Sequence, residues 1–467
     1  MSIAKYILMA GLMPLFLGAC TSPENESAAA STQDTTAIAE GPALFGHPEW
    51  ARSSNIYEVN IRQYTPEGTF NAFAQHLPRL KAMGVDILWL MPIHPIGEKK
   101  RKGGLGSPYS IQDYRAVNPD FGTDEDFRNL VQQVHAQGMH IIIDWVANHS
   151  AWDNALLEEH PEWYTKDSTG NFMAPVPDWS DVVDFNYDEA GLRAYMIESL
   201  EYWVKEFDID GYRCDVAMMV PTDFWNEARQ ALDAIKPVFM LAEAEQTDHH
   251  EQAFDMSYGW EFHHWMNQMA KGERGLASLD SLVAKEQGRF PTDAYRMCFT
   301  SNHDENSWNG TVAERLGKDA APAFAVLSAT LFGMPLIYSG QEAGLDHRLS
   351  FFEKDQIDWE ELPYEDLYRR LLTAKEECPA LWNGAEGGTY RRLTTTNDTS
   401  ILAFAREKGA DKAVVIINMS DQKQVFSWED QGLEGNYRDV ASDGAVYIQP
   451  KNIMTMIPWG FYLMIPS

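Results

Sequence analysis

Eight short β-like runs, each followed by an amphipathic helical stretch, fill the chain between residue 55 and about residue 344. They fall at 56–61, 86–91, 140–144, 211–216, 238–242, 255–258, 297–300 and 336–338. Strands that alternate with helices build a parallel sheet whose faces the helices cover. Eight such units over roughly 290 residues suit a (β/α)8 barrel better than an open doubly wound sheet. Helical periodicity alone is compatible with both. Phe70, Phe73, Leu77 and Leu80 predict a helix closed by Gly84, and Thr123 with Asp124, Glu125 and Asp126 opens another that runs to Gly138. Leu192, Met196, Leu200, Trp203, Val204 and Phe207 repeat the pattern before the fourth run.

Two departures from even spacing shape the rest. Residues 148–187, rich in Trp, Pro, Asp and Asn, are too many for an ordinary strand-to-helix connection, so they form an excursion over the strand ends. After residue 387, β-like segments follow at 388–393, 400–406, 412–418, 424–428, 445–448 and 461–465. The expected fold class is therefore α/β: a (β/α)8 TIM barrel over 46–387, an insertion at about 149–187 after strand three, and a C-terminal all-β sandwich over 388–467.

Charge narrows the partners. The chain carries 37 Lys and Arg against 69 Asp and Glu, a net charge of −32. A field of that sign repels polyanions, so no nucleic acid is expected. The amino terminus has one cation, Lys5, an apolar run over 6–17, and then Leu17-Gly18-Ala19-Cys20. That ending resembles a bacterial lipoprotein box, which implies a signal peptide over 1–19, lipidation of Cys20 and membrane attachment through that anchor. Residues 20–45, rich in Ser, Thr, Ala and acids, read as a solvated tether. The expected location is the bacterial cell envelope, facing the outer membrane or periplasm. Cys214, Cys298 and Cys378 have no metal-ligand spacing and cannot all pair, so they are expected as buried free thiols.

In a barrel, reactive groups sit where strands end at the carboxyl face. The third run ends in Asp144-Trp145-Val146-Ala147-Asn148-His149, the fourth in Arg213-Cys214-Asp215, the fifth in Ala242-Glu243, and the seventh in Asn302-His303-Asp304. Three carboxylates, Asp215, Glu243 and Asp304, thus converge from different strands. Together with Val183-Asp184-Phe185-Asn186, Ser107-Pro108-Tyr109-Ser110 and Gly333-Met334-Pro335-Leu336, these segments resemble the signature regions of the α-amylase superfamily of retaining glycoside hydrolases. The resemblance covers roughly residues 55–345 and implies Asp215 as nucleophile, Glu243 as acid/base and Asp304 as stabiliser of an oxocarbenium-like transition state. It implies substrate contacts from Tyr109, His149, His303, Arg213, Asp144 and Trp152. It also implies an α-glucan oligo- or polysaccharide substrate and no cofactor for the chemistry, with a structural Ca²⁺ at Asn148 and Asp184 left open.

Several residues carry plainer readings. Arg213 stands two residues before Asp215, so strand alternation points both the same way, and the cation is expected to keep Asp215 ionised. Asp144 is expected to pair with Arg213 more than to touch substrate. The apolar lead-in 239–242 predicts a desolvated Glu243 with a raised pKa. Lys99, Lys100, Arg101 and Lys102 read as a solvated loop, and Trp145, Trp163 and Trp179 as packing, with Trp152 the aromatic expected nearest the site. Glu245 predicts an acidic +1 subsite. A hydrolase of α-1,4 bonds is favoured over a transglycosylase, α-glucosidase, neopullulanase or cyclomaltodextrinase on the same scaffold. A non-catalytic surface glycan-binding lipoprotein is the remote reading, since such a protein has no use for three intact carboxylates. Oligomeric state is not legible.

Overall fold

The computed structural model describes residues 46–429 and 431–467. Ten strands lead the order: β1 (Ile56–Val59), β2 (Ile87–Leu90), β3 (His140–Trp145), β4 (His149–Ala151), β5 (Val182–Asp184), β6 (Gly211–Cys214), β7 (Phe239–Ala242), β8 (Met256–Tyr258), β9 (Tyr295–Phe299) and β10 (Met334–Tyr338). Eight of these close a parallel barrel in the order β1, β10, β9, β8, β7, β6, β3, β2. Each overlaps one of the eight runs read from sequence. The barrel is filled by Ile56, Ile87, Trp89, Ile142, Phe239, Leu241, Met256, Tyr258, Met297, Phe299, Met334 and Leu336, all buried. Each large apolar side chain so removed from water contributes about 1.5–3 kcal/mol. Gly211 opens β6 at φ 148°, where any Cβ would strike the Phe239 backbone.

The stripe from Phe70 to Leu80 departs from expectation. It is two helices, Phe70–Ala74 and Leu77–Met83, because Pro78 lacks an N–H and is accommodated only in a first helical turn. Thr123 forms a reciprocal capping box with Asp126 at the head of Asp124–Ala136, and Ala190–Phe207 is a single long helix. The excursion after β3 pairs β4 with β5 antiparallel, His149 opposite Asp184, and packs Tyr164 against Phe185 with ring centres 4.7 Å apart.

Eight further strands follow: β11 (Thr389–Arg392), β12 (Ile401–Lys408), β13 (Asp411–Asn418), β14 (Gln424–Phe426), β15 (Gly435–Asp439), β16 (Ala445–Ile448), β17 (Met454–Met456) and β18 (Phe461–Pro466). They form a six-stranded sheet, β11-β12-β13-β18-β15-β16, and a two-stranded ribbon, β14-β17. Phe426, Trp428 and Met456 of the ribbon region share a core with Ile401, Val414 and Met464 of the sheet. The sheet's other face buries Leu402, Phe404, Val415 and Leu463 against Phe324 and Leu327 from helix Ala321–Thr330 and Leu371 from helix Glu365–Glu377. β15 and β17 are absent from the sequence reading because Gly435-Asn436-Tyr437-Arg438-Asp439 and Met454-Thr455-Met456 lack a run of β-branched residues. Cys214, Cys298 and Cys378 are buried and free.

Candidate active site

Register brings the carboxylates together. On the parallel pair β6 and β7, Cys214 lies opposite Ala242, so the next residues, Asp215 and Glu243, leave adjacent strands at the same level. Neighbouring strands are about 4.8 Å apart. On the other side of β6, Arg213 lies opposite Asp144 of β3. The Arg213 guanidinium gathers all three: Nη1 donates to Asp144 Oδ1 at 2.9 Å and Oδ2 at 3.1 Å and to Asp215 Oδ1 at 2.9 Å, while Nη2 stands 2.9 Å from Glu243 Oε2. The Nη2 contact is an ion pair out of line for a hydrogen bond. Glu243 Oε2 also accepts the Val216 N–H at 2.8 Å. Val216 holds φ at 36°, a left-handed conformation costly for a β-branched residue and of the kind found where a site dictates the backbone. One oxygen of each carboxylate is thereby anchored, leaving Asp215 Oδ2 and Glu243 Oε1 for the cleft.

Asp304 follows β9 and is the most open of the group, its side chain 22% exposed. Its neighbour His303 is buried, with Nδ1 2.5 Å from Glu58 Oε1, Nε2 2.8 Å from the Tyr109 hydroxyl and Nε2 3.6 Å from Asp304 Oδ2. Burial opposes a charge on that ring, yet Asp304 and Glu58 hold its pKa up at about 9, so His303 is an imidazolium at neutral pH. Burial raises Asp215, Glu243 and Asp304, opposed chiefly by Arg213 for the first two and by His303 for the third. Arg213 therefore does not hold Asp215 below the usual carboxylate range, as its position in sequence suggests. Three buried carboxylates and the partly open Asp304 share its field, and their mutual repulsion with desolvation prevails. Desolvation and repulsion thus raise the affinity of the cluster for a proton, the direction a general acid requires.

Two expected substrate contacts are corrected. Asp144 and Arg213 have fully buried side chains, so they stand behind the cleft and act on it through Asp215 and Glu243. Asp144 is further tied to Trp89 Nε1 at 3.2 Å and the Tyr109 hydroxyl at 3.1 Å, and burial pushes it up to about 7. Glu245 does not make the next subsite acidic, because its carboxylate turns to Arg296 at 3.0 Å. Trp152 lies at the rim with its face occupied by Lys100 Nζ, 3.1 Å from the ring centre, and its Nε1 donating to Ser180 O. Trp179, read as packing, is the tryptophan that meets His149, ring centres 5.5 Å apart. Burial lowers His149 to about 4, leaving it neutral.

Three features escaped the sequence. Glu58, in the middle of β1, has the alternation of an ordinary strand residue yet orients His303. Trp89 looks like barrel filling and caps Asp144. Phe351 lies parallel to Tyr109 at 6.2 Å and touches Trp308 at 5.2 Å, giving an aromatic path outward from loops with no periodic signal.

Asn148 contacts the His149 ring, and Asp184 is linked to Thr165 and Asn148. Among the described residues no three His, Cys, Asp or Glu side chains gather as a metal cluster. Ca²⁺ takes six to eight oxygens, more than this pair supplies. Cys20 lies outside the described residues.

The sequence matches the alpha-amylase family, described as alpha amylase, catalytic domain, over residues 26–169 and 158–427. Among solved structures it is similar to the noncanonic maltogenic alpha-amylase AmyB from Thermotoga neapolitana, at 31% identity and TM-score 0.81 over 89% of this chain and 99% of that one. An alpha-amylase from Lactobacillus plantarum gives 31% identity and TM-score 0.80 over 90% and 100% of the two chains. Alpha-amylase MalA of Haloarcula japonica is 27% identical over 421 residues, 85% of this chain, and this chain spans 60% of that relative's length. With the barrel, the strand-end carboxylates and these matches in agreement, the chain belongs to the alpha-amylase family.

Proposed function

We propose that the protein hydrolyses α-1,4-glucosidic bonds of starch-type oligo- or polysaccharides with retention at the anomeric carbon. The observation that carries this reading is the alignment of Asp215 and Glu243 at one level on adjacent strands, joined by a single guanidinium. Retaining enzymes need two carboxyl groups about 5–5.5 Å apart, with no room for a water between nucleophile and sugar. Asp215 Oδ2 attacks the anomeric carbon as Glu243 Oε1 delivers its proton to the departing glycosidic oxygen, giving a glycosyl ester and a free sugar hydroxyl. Glu243, now a carboxylate, takes a proton from water, whose oxygen displaces Asp215. Asp304 and the His303 imidazolium hold ring hydroxyls as positive charge develops on the sugar, and Tyr109 offers its ring as a platform. His149 donates from the excursion side.

Digestion of maltoheptaose tests the reading. Shorter maltodextrins as the main products, little changed by a large excess of glucose, support hydrolysis; glucose-extended products support the transglycosylase alternative. Faster turnover of cyclodextrin or pullulan supports the cyclomaltodextrinase or neopullulanase alternative. A structural Ca²⁺ at Asn148 and Asp184 is tested by melting with and without EDTA: an unchanged midpoint removes it.

The envelope reading belongs here too. Cys20 is proposed as the acylated residue that tethers the catalytic unit to a membrane, supported by Leu17-Gly18-Ala19-Cys20 and the polar segment behind it. Mass spectrometry of the chain purified from membranes is predicted to find acyl chains on Cys20, and Cys20→Ser to release the protein.

A further inference from the structure

The most exposed of the large apolar side chains among the described residues are not at the catalytic face. Val425, Ile453 and Ile457 are 57%, 77% and 69% exposed. They belong to one surface. In the β14-β17 ribbon, Val425 stands opposite Thr455, and the period-2 alternation of strands sends Val425, Ile453, Thr455 and Ile457 outward. Phe426 and Met456 point inward to the core. Lys423 leads into β14 and Lys451 precedes β17; both are exposed, and among the described residues neither is ion-paired. The strands themselves contribute no acidic residue, in a chain of net charge −32. Asp421 and Glu429 lie in the segments flanking β14.

We propose that the outer face of the β14-β17 ribbon docks on an anionic phospholipid surface, its aliphatic side chains entering the headgroup boundary while Lys423 and Lys451 meet lipid phosphates. The chemistry of the face selects this occupant. A sugar stacks on flat aromatic rings, and the ribbon presents no aromatic side chain outward. A second copy would set like-charged lysines facing one another and bring together two bodies of strong negative charge. An anionic membrane repels the rest of the protein and meets opposite charge here, so the contact fixes orientation as well as adding affinity. The proposal rests on the envelope reading for how the membrane is reached. A stretch as long as residues 20–46 spans at most roughly 90 Å, enough for the catalytic unit to approach the surface.

Hydrogen exchange of the full chain on phosphatidylethanolamine:phosphatidylglycerol vesicles (7:3) tests it. Amides of 423–427 and 451–457 are expected to exchange at least threefold more slowly on vesicles, with catalytic-face peptides unchanged. The variant Val425→Ser/Ile453→Ser/Ile457→Ser is expected to lose that protection while keeping its activity, as is Lys423→Glu/Lys451→Glu. Equal exchange with and without vesicles overturns the proposal, as does equal slowing without lipid at tenfold higher protein concentration, which indicates a second copy. A Cys20→Ser chain separates this surface from the anchor. Slowing at high vesicle concentration without an acyl group supports the face alone, whereas binding through Cys20 with an unprotected ribbon overturns the face and leaves the anchor standing.

Discussion

Of the places where this molecule buries charge, two manage it in opposite ways. At the carboxyl ends of β3, β6 and β7, Arg213 is surrounded by Asp144, Asp215 and Glu243, and His303 is flanked by Glu58 and Asp304. Between the barrel and the C-terminal sheet, Lys375 and Arg406 are buried with carbonyl oxygens as their partners. Lys375 donates to Leu381 O at 2.7 Å and Gly333 O at 3.2 Å, and Arg406 to Leu331 O at 2.9 Å and Gly388 O at 2.9 Å. Burial, aided by their mutual repulsion, lowers Lys375 to about 7, and burial lowers Arg406 to about 10. Carbonyls at a helix end stabilise a cation without supplying a counter-charge. The first arrangement can pass a proton among its members. The second holds chain ends together. Titrating partners alone do not mark chemistry, since Arg229 is buried between Asp255 and Asp233 at the amino end of β8; what sets the first arrangement apart is its place at the carboxyl face.

Changes at the two centres should therefore be read by different instruments. Asp215→Asn is expected to lower kcat on maltoheptaose by about 10³-fold or more while the melting temperature holds or rises, since a nucleophile is lost and a crowded buried charge removed. Turnover equal to wild type would remove the assignment. Glu58→Gln is expected to cost about tenfold in kcat/KM. Loss of Glu58 removes one of the two carboxylates that raise His303, so the imidazole titration followed by NMR moves down from about 9; an unmoved titration would deny Glu58 its orienting role. Lys375→Met should leave kcat within about twofold and alter stability against pH. The folded pKa of Lys375 lies near 7 and the unfolded one near 10.5. The unfolded state thus binds the extra proton between these limits, and its contribution to stability rises with pH across that window and is lowest below 7. Urea melts at pH 7 and 9.5 are expected to show this gain in wild type and a smaller one in the variant. Trp308→Ala, on the aromatic path, should raise KM for maltoheptaose about threefold and leave a short aryl maltoside unaffected.

The contrast also explains what could be read in advance. Strand-end carboxylates are legible because each follows an apolar run, as Glu243 follows Phe239-Met240-Leu241-Ala242, and the barrel is legible because eight such runs recur. Glu58 and Lys375 were not legible. Glu58 occupies an alternating strand and Lys375 an amphipathic helix, positions where a charged residue ordinarily faces water, and only barrel closure and the docked sheet bury them. The break at Pro78 was written in the sequence but outweighed by the apolar stripe around it. The corrections at Asp144, Arg213 and Glu245 share one cause: spacing says which residues approach the site, whereas counter-ions from distant strands decide which of them face it.

The central claim is that Asp215 captures the sugar covalently with Glu243 as its proton donor. Incubation with 5-fluoro-α-glucosyl fluoride, followed by peptic digestion and mass spectrometry, tests it directly. A single added glycosyl mass on the peptide containing Asp215, absent from Asp215→Asn, is the predicted result; a label on Glu243 or Asp304, or turnover giving a first-formed product of inverted configuration without a trapped ester, would contradict it.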